Sequence, residues 1–149
     1  MRPTCGPSRR SSPPLIELYR PDVLVTQLGV DSFATDPLTD LRLTTHGYTR
    51  VVTRLKSFGL PWVALGGGGY NLSNVARAWT LAFAIMCGIE LPDELPPAAR
   101  DALRREGFDV RYLRDPEPTT SSDPRVREQA EKSVRYIQEH VLRRLAARS

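Results

Sequence analysis

Apolar residues fall into two short runs and several longer periodic ones. Val23-Leu-Val-Thr-Gln-Leu28 is rich in β-branched residues and bounded by Pro21 and Gly29, which predicts a buried strand. Leu60-Pro-Trp-Val-Ala-Leu65 predicts a second strand, followed by a tight turn over Gly66–Gly69. Between the two strands, Gly29–Leu43 has no period and carries Gly, Asp, Ser and Pro, so it is expected to be a long loop. A helix over His46–Phe58 follows, capped by Thr44 or Thr45 and stopped by Gly59, with Tyr48, Val51, Val52 and Leu55 on a 3.6-residue repeat. A second helix over Ser73–Cys87 is apolar almost all round, which predicts burial on most sides.

The remainder is less regular. Leu15–Arg20 has the character of a last helical turn ended by Pro21. Glu90–Pro97 is a Pro-rich linker, Ala98–Gly107 a short amphipathic helix, Asp109–Leu113 an extended piece and Pro116–Ser122 a loop. Asp123 is placed to cap a final helix with Pro124 at its first position. That helix carries the stripe Val126, Ala130, Val134, Ile137, Val141 and Leu145, one face expected to pack on a neighbour.

Strand, loop, helix, strand, glycine turn and helix make a βαβα order, which predicts an α/β fold with a parallel sheet and crossover helices. Two strands leave the faces and edges of such a sheet open. The expectation is therefore that residues 15–149 are the C-terminal fragment of a larger α/β domain. Residues 1–14, Pro-, Ser- and Arg-rich without periodicity, read as disordered or artefactual.

Composition narrows the classes. Hydrophobic residues at 40% and charged residues at 26% permit a globular core. Lys and Arg (21) exceed Asp and Glu (17) by only four, and the excess is scattered, which argues against direct nucleic-acid binding. Cys5 and Cys87 have neither the number nor the spacing for a disulfide scaffold or a cysteine zinc finger. No run reaches the length of a membrane span, and the basic N-terminus has no apolar stretch behind it, so the expected setting is cytoplasmic with no membrane partner.

In parallel α/β folds ligands bind beyond the carboxyl ends of the strands. Asp31 and Asp36 follow the first strand, and Gly66-Gly-Gly-Gly-Tyr-Asn71 follows the second. A carboxylate and a phenol on adjacent strand ends suit metal-assisted hydrolysis of a carbonyl compound, with the phenol donating to the oxyanion. A nucleotide-binding turn is the competing reading of the glycines, although no Lys-Ser/Thr follows as in a phosphate loop.

Quoted in full, RPDVLVTQLGVDSFATDPL, LRLTTHGY, LKSFGLPWVALGGGGYNLSNVARAWTLAFAIMCG and ELPDELP, from Arg20 to Pro96, resemble the zinc-dependent histone deacetylase superfamily, which also holds acetoin-utilisation proteins and acetylpolyamine amidohydrolases. The tail segments LRDPEP and VRYIQEHV are similar too, extending the likeness to about 130 residues. The resemblance implies the C-terminal part of a three-layer, parallel-sheet, arginase-like α/β fold, of the acetoin-utilisation or class I-like branch; the short LPDELP linkage and the absence of eukaryotic-style tails favour a prokaryotic source. It implies that Asp31 is a ligand of Zn2+, Tyr70 the catalytic oxyanion donor, and Gly68 and Leu38 the substrate-binding lining of an acyl tunnel. Asp36, Gly66, Gly67 and Gly69 are implied to be structural supports. Val30 departs from the Ala or Ser usual before the ligand Asp.

The family's Asp-x-His pair and His-His dyad are not in this sequence, whose two histidines are His46, expected at a surface or cap, and His140, expected in packing. The resemblance thus implies zinc-dependent hydrolysis of N-acetyl-lysine or a small acetylated amine in a parent protein, with the present chain inactive alone. Alternatives are a non-catalytic remnant, a partner that complements an N-terminal half, and an acetylpolyamine amidohydrolase. Arg77, on the buried helix behind the glycines, is expected to pair with a carboxylate. Trp62 and Trp79 are expected to be core or interface aromatics, and Cys87 a buried small hydrophobe.

Overall fold

The structure is a computed structural model that describes residues 14–117 and 124–146. They form two compact units, one over residues 23–117 and one combining residues 14–22 with 124–146. The expected disorder of residues 1–14 falls, but for Pro14, outside the described residues, as does the Asp123 cap.

In the larger unit, β1 (Leu24–Gln27) and β2 (Trp62–Leu65) pair in parallel, with Leu24 opposite Trp62 and Gln27 opposite Leu65. The Leu24 amide donates to the Pro61 carbonyl (2.8 Å) and the Leu28 amide to the Leu65 carbonyl (2.8 Å), extending the ladder at both ends. Between the strands runs α1 (Thr45–Lys56), capped by Thr44, whose side chain accepts from the Gly47 amide. Gly59, at φ 67°, ends the turn that follows it. After the glycine loop comes α2 (Leu72–Cys87), capped by Asn71 and closed by Gly88 in the left-handed conformation. Then α3 (Pro97–Arg105) precedes an extended return in which Tyr112 bridges Glu94.

The core lies between α1, α2 and the loop after β1. Val30, Phe33, Tyr48, Val52, Ala78 and Ala82 are buried together, with the Phe33 and Tyr48 rings edge-on at 5.5 Å. Phe33 anchors the loop from below, while backbone bonds between Ala34 and Leu43 (2.9 Å) and between Leu43 and Ser32 (3.0 Å) close it on itself. Leu81, Leu95 and Leu113 make a second cluster that fastens the return segment to the other end of α2.

Three expectations are corrected here. Among the described residues the fold is predominantly helical with one open two-stranded sheet, not a three-layer parallel-sheet α/β fold. Each of the two apolar runs forms only four paired residues, too few to build a layer. Nor are the strands buried: their residues alternate, with Val25, Val63 and Leu65 about half exposed on the outer side. Likewise α2 buries one face rather than most sides. Ser73, Asn74, Arg77, Ala78, Leu81, Ala82 and Ala84 turn inward, whereas Trp79, Phe83 and Cys87 are exposed. Small residues mark its inner face because α1 approaches closely there.

The smaller unit contains α4 (Pro14–Tyr19) and α5 (Pro124–Ile137), the latter running through a π-helical turn (Gln138–Leu142) into α6 (Arg143–Ala146). Val134, Ile137 and Val141 of the expected packing stripe stay 41–54% exposed. His140 stacks on Tyr136 one turn back (4.3 Å between centroids) and does not enter a core. Among the described residues no helix is long and apolar enough to cross a membrane.

Candidate active-site wall

Both chemistry-bearing loops leave the carboxyl ends of the paired strands and are bonded to each other. The Val30 amide donates to the Gly68 carbonyl (2.7 Å), and the Tyr70 amide donates to Asp36 Oδ2 (2.8 Å). Asp36 is 5% exposed, and its other oxygen takes the Leu38 amide (3.0 Å). Its carboxylate thus joins the start of the Leu38 rim to the residue that ends the glycine loop.

Alternation along the backbone explains Asp31. Val30 turns fully into the core, which places Asp31 on the exposed side. The bulk of Val30 therefore goes to packing, against the α-carbon of Gly69, where an added methyl would meet Val30 Cγ2 at 2.7 Å. The Asp31 carboxylate lies over the α-carbon of Gly68, in the space a side chain there would need. Gly66 sits beneath the Trp79 ring and Gly67 against the Gln27 amide. Tyr70 and Leu38 are 59% and 69% exposed, at the rim of the same pair of loops. All the residues singled out in the sequence after Gln27 and Leu65 are thus carried by two joined loops.

Beneath them lies a polar network that the sequence reading did not assemble. Arg77, nearly buried, donates through Nη1 to Asp115 Oδ1 (2.8 Å), through Nη2 to Asn74 Oδ1 (3.3 Å) and through Nε to Ser73. Asn74 Nδ2 donates to Thr35 Oγ1 (2.9 Å), and Asn71 Nδ2 to the Thr35 carbonyl (3.1 Å). Asp115 Oδ2 accepts the Thr45 amide (2.8 Å), and the Asp115 amide donates to Thr45 Oγ1 (2.7 Å). The carboxylate expected opposite Arg77 is therefore Asp115. Its signal in the sequence was only the arginine, because 38 residues separate the pair.

Burial pushes the Asp115 carboxyl up, but the Thr45 amide bond and then the Arg77 guanidinium outweigh it and hold the group below the usual carboxylate range. Burial pushes the Tyr48 phenol up to about 12; its hydroxyl donates to the Leu28 carbonyl at 3.3 Å. His46 is committed through Nε2 to the Asp115 carbonyl (2.7 Å), which makes it an anchor of the return segment rather than a plain surface residue.

The implied zinc finds too few partners. Among the described residues no three of His, Cys, Asp and Glu gather as a metal would require. Asp36 spends both oxygens on amides, leaving Asp31 as the single candidate ligand on this face, against about three protein ligands in a catalytic zinc site. The residues present do not fit the ion by themselves.

A family model described as "Histone deacetylase domain" matches residues 8–86. Type-1 histone deacetylase 1 of Dictyostelium discoideum is 46% identical over 82 residues, and histone deacetylase 1 of Homo sapiens 44% over the same length; each match takes 55% of this chain and 17% of the relative. Histone deacetylase 9 of Arabidopsis thaliana is 43% identical over 82 residues, 19% of its length. The chain thus spans under a fifth of the length of these relatives. The match occupies the N-terminal half of the chain, which corrects the assignment to the family's C-terminal portion and leaves the LRDPEP and VRYIQEHV segments outside it. The named relatives are eukaryotic, which corrects the prokaryotic assignment. The LPDELP linkage on which that assignment leaned, residues 91–96, lies beyond the matched residues.

Proposed function

The chain belongs to the histone deacetylase domain family, and from that premise we propose that it forms one wall of an acyl-amide hydrolase site for N-acetyl-lysine of a protein or for a small acetylated amine. The observation that carries this reading is the joining of the two strand-end loops through Val30–Gly68 and Asp36–Tyr70. It tethers the loop that carries Asp31 and Leu38 to the loop that carries Gly68 and Tyr70.

In this reading the Tyr70 hydroxyl donates to the acyl carbonyl oxygen and holds the negative charge that grows there as water adds. Leu38 and the Gly68 backbone flank the acyl chain. Asp36 fixes Leu38 and Tyr70 from behind by accepting both of their amides. Asp31 would offer one carboxylate to Zn2+, the family's implied cofactor, and the remaining ligands and the base are not among the described residues of this chain. The 149-residue chain by itself is therefore expected to be inactive.

Grafting tests the proposal. The matched 82-residue stretch of the Dictyostelium relative is replaced by the corresponding residues of this chain, and acetyl-lysine hydrolysis is measured. An active graft that loses about 10²–10³ in kcat on Tyr70→Phe supports the assigned role. A folded graft whose rate is indifferent to both Tyr70→Phe and Asp31→Asn overturns it. The lack of a three-residue metal cluster among the described residues favours a second reading, a non-catalytic family member or a complementing partner; an inactive but folded graft selects it.

A further inference from the structure

The return segment after α3 lies outside the family match, yet its Asp115 bonds both the start of α1 and Arg77 of α2. We propose that Asp115 is a positioning residue for the Asp31–Tyr70 wall, acting through Arg77, Asn74 and Thr35. It rests on the reading of that wall as the hydrolase site for its meaning, but not for its test.

Each link is a hydrogen bond between named groups. Asp115 is held from both ends of its own backbone and side chain: its amide by Thr45 Oγ1, its carbonyl by His46 Nε2 and its Oδ2 by the Thr45 amide. Leu113, 4% exposed, secures the segment two residues earlier in the Leu81–Leu95 cluster. The rigid carboxylate then orients Arg77, an almost buried cation that must be paired. Arg77 engages Asn74 Oδ1, and the Asn74 amide meets Thr35 Oγ1 through both Nδ2 (2.9 Å) and Oδ1 (3.1 Å). Asn71, the residue after Tyr70, holds the Thr35 carbonyl, and Asp36, the residue after Thr35, holds the Tyr70 amide. Thr35 is thereby fixed from below, and the bond that sets Tyr70 against its loop is fixed with it.

A residue that only added stability would lower protection everywhere. A positioning residue loosens one place first. Amide hydrogen exchange on the full 149-residue chain separates the two, without any activity. In Asp115→Asn and in Arg77→Lys, the Val30 and Tyr70 amides are expected to exchange at least tenfold faster, while Leu28 in the strand ladder and Ala82 in mid-α2 keep their protection. Thr35→Val cuts only the last link, leaves Arg77 and Asp115 untouched and is expected to reproduce the change at Tyr70. Asp115→Glu is expected to recover part of it. The proposal is overturned if Asp115→Asn changes Thr45 alone, if all amides quicken together, or if Thr35→Val leaves Tyr70 as in the parent. Should Asp115→Asn not fold, Thr35→Val decides. The grafted enzyme answers a different question, so an inactive graft with the exchange pattern intact would sink the functional reading and leave this one standing.

Discussion

The Asp31 carboxylate occupies the space that a side chain at Gly68 would take: a methyl built there would overlap Oδ2 and fall within 2.6 Å of Cγ. The candidate ligand and the glycine loop are therefore shaped against each other. Gly68→Ala is expected to cost about 1–3 kcal/mol through overpacking. Most of the loss should return in the double variant with Asp31→Ala, which removes the clashing atoms. Urea unfolding of the two single variants and the double one measures the coupling; strict additivity would show that the contact does not matter.

Asp36 bonds two backbone amides from a buried position, so its loss should be felt at both. Asp36→Ala leaves the Leu38 and Tyr70 amides without their acceptor, at about 1–3 kcal/mol for each group that water cannot reach. A drop of that order in unfolding free energy, with faster exchange at the Tyr70 amide, is the expected result. Asp36→Asn, which keeps one carbonyl oxygen, should lose less.

Val30 is fully buried among Phe33, Tyr48, Val52, Ala78 and Ala82 and touches the α-carbon of Gly69. Val30→Ala opens a cavity under both loops, with an expected loss of about 1–3 kcal/mol. Val30→Ser should be worse, because it adds a hydroxyl to the same apolar cluster. Thermal or urea unfolding checks the order of the two.

The two shifted groups give the stability profile its limbs. Asp115 has a lowered pKa in the fold, so its contribution is complete above about pH 4, its unfolded range, and is lost as pH falls through the folded value. Tyr48 has a raised one. Its contribution is complete below about pH 10 and is lost as pH climbs toward about 12. Urea midpoints measured across pH should therefore fall at both extremes. Asp115→Asn should flatten the acid limb and Tyr48→Phe the alkaline one; a limb unchanged by its own variant would refute the assignment.

Much of the local structure was legible. Pro21 and Gly29 lie just outside the elements they were expected to bound, Gly59 turns the chain after α1, Thr44 does cap α1, and the two apolar runs do pair in parallel. What misled was the inference from local pattern to surroundings. An apolar run says that a strand can be covered, not that it is: Val25, Val63 and Leu65 carry the same residue types as a buried strand and lie half exposed. The all-apolar look of α2 hid a one-sided helix for the same reason.

What the sequence by itself determined is the short-range part: where helices start, where glycine is needed, and which residue types follow each strand. These depend on neighbours within a few positions, through dihedral limits, capping and alternation. Tertiary structure alone decided that Val30 turns into the core so that Asp31 faces out, that Asp36 spends both oxygens on the Leu38 and Tyr70 amides, and that Arg77 finds Asp115. Each is a contact between groups distant in the chain, or an orientation set by such a contact. No periodicity encodes which carboxylate a buried guanidinium will meet once burial has made an unpaired charge too costly to keep.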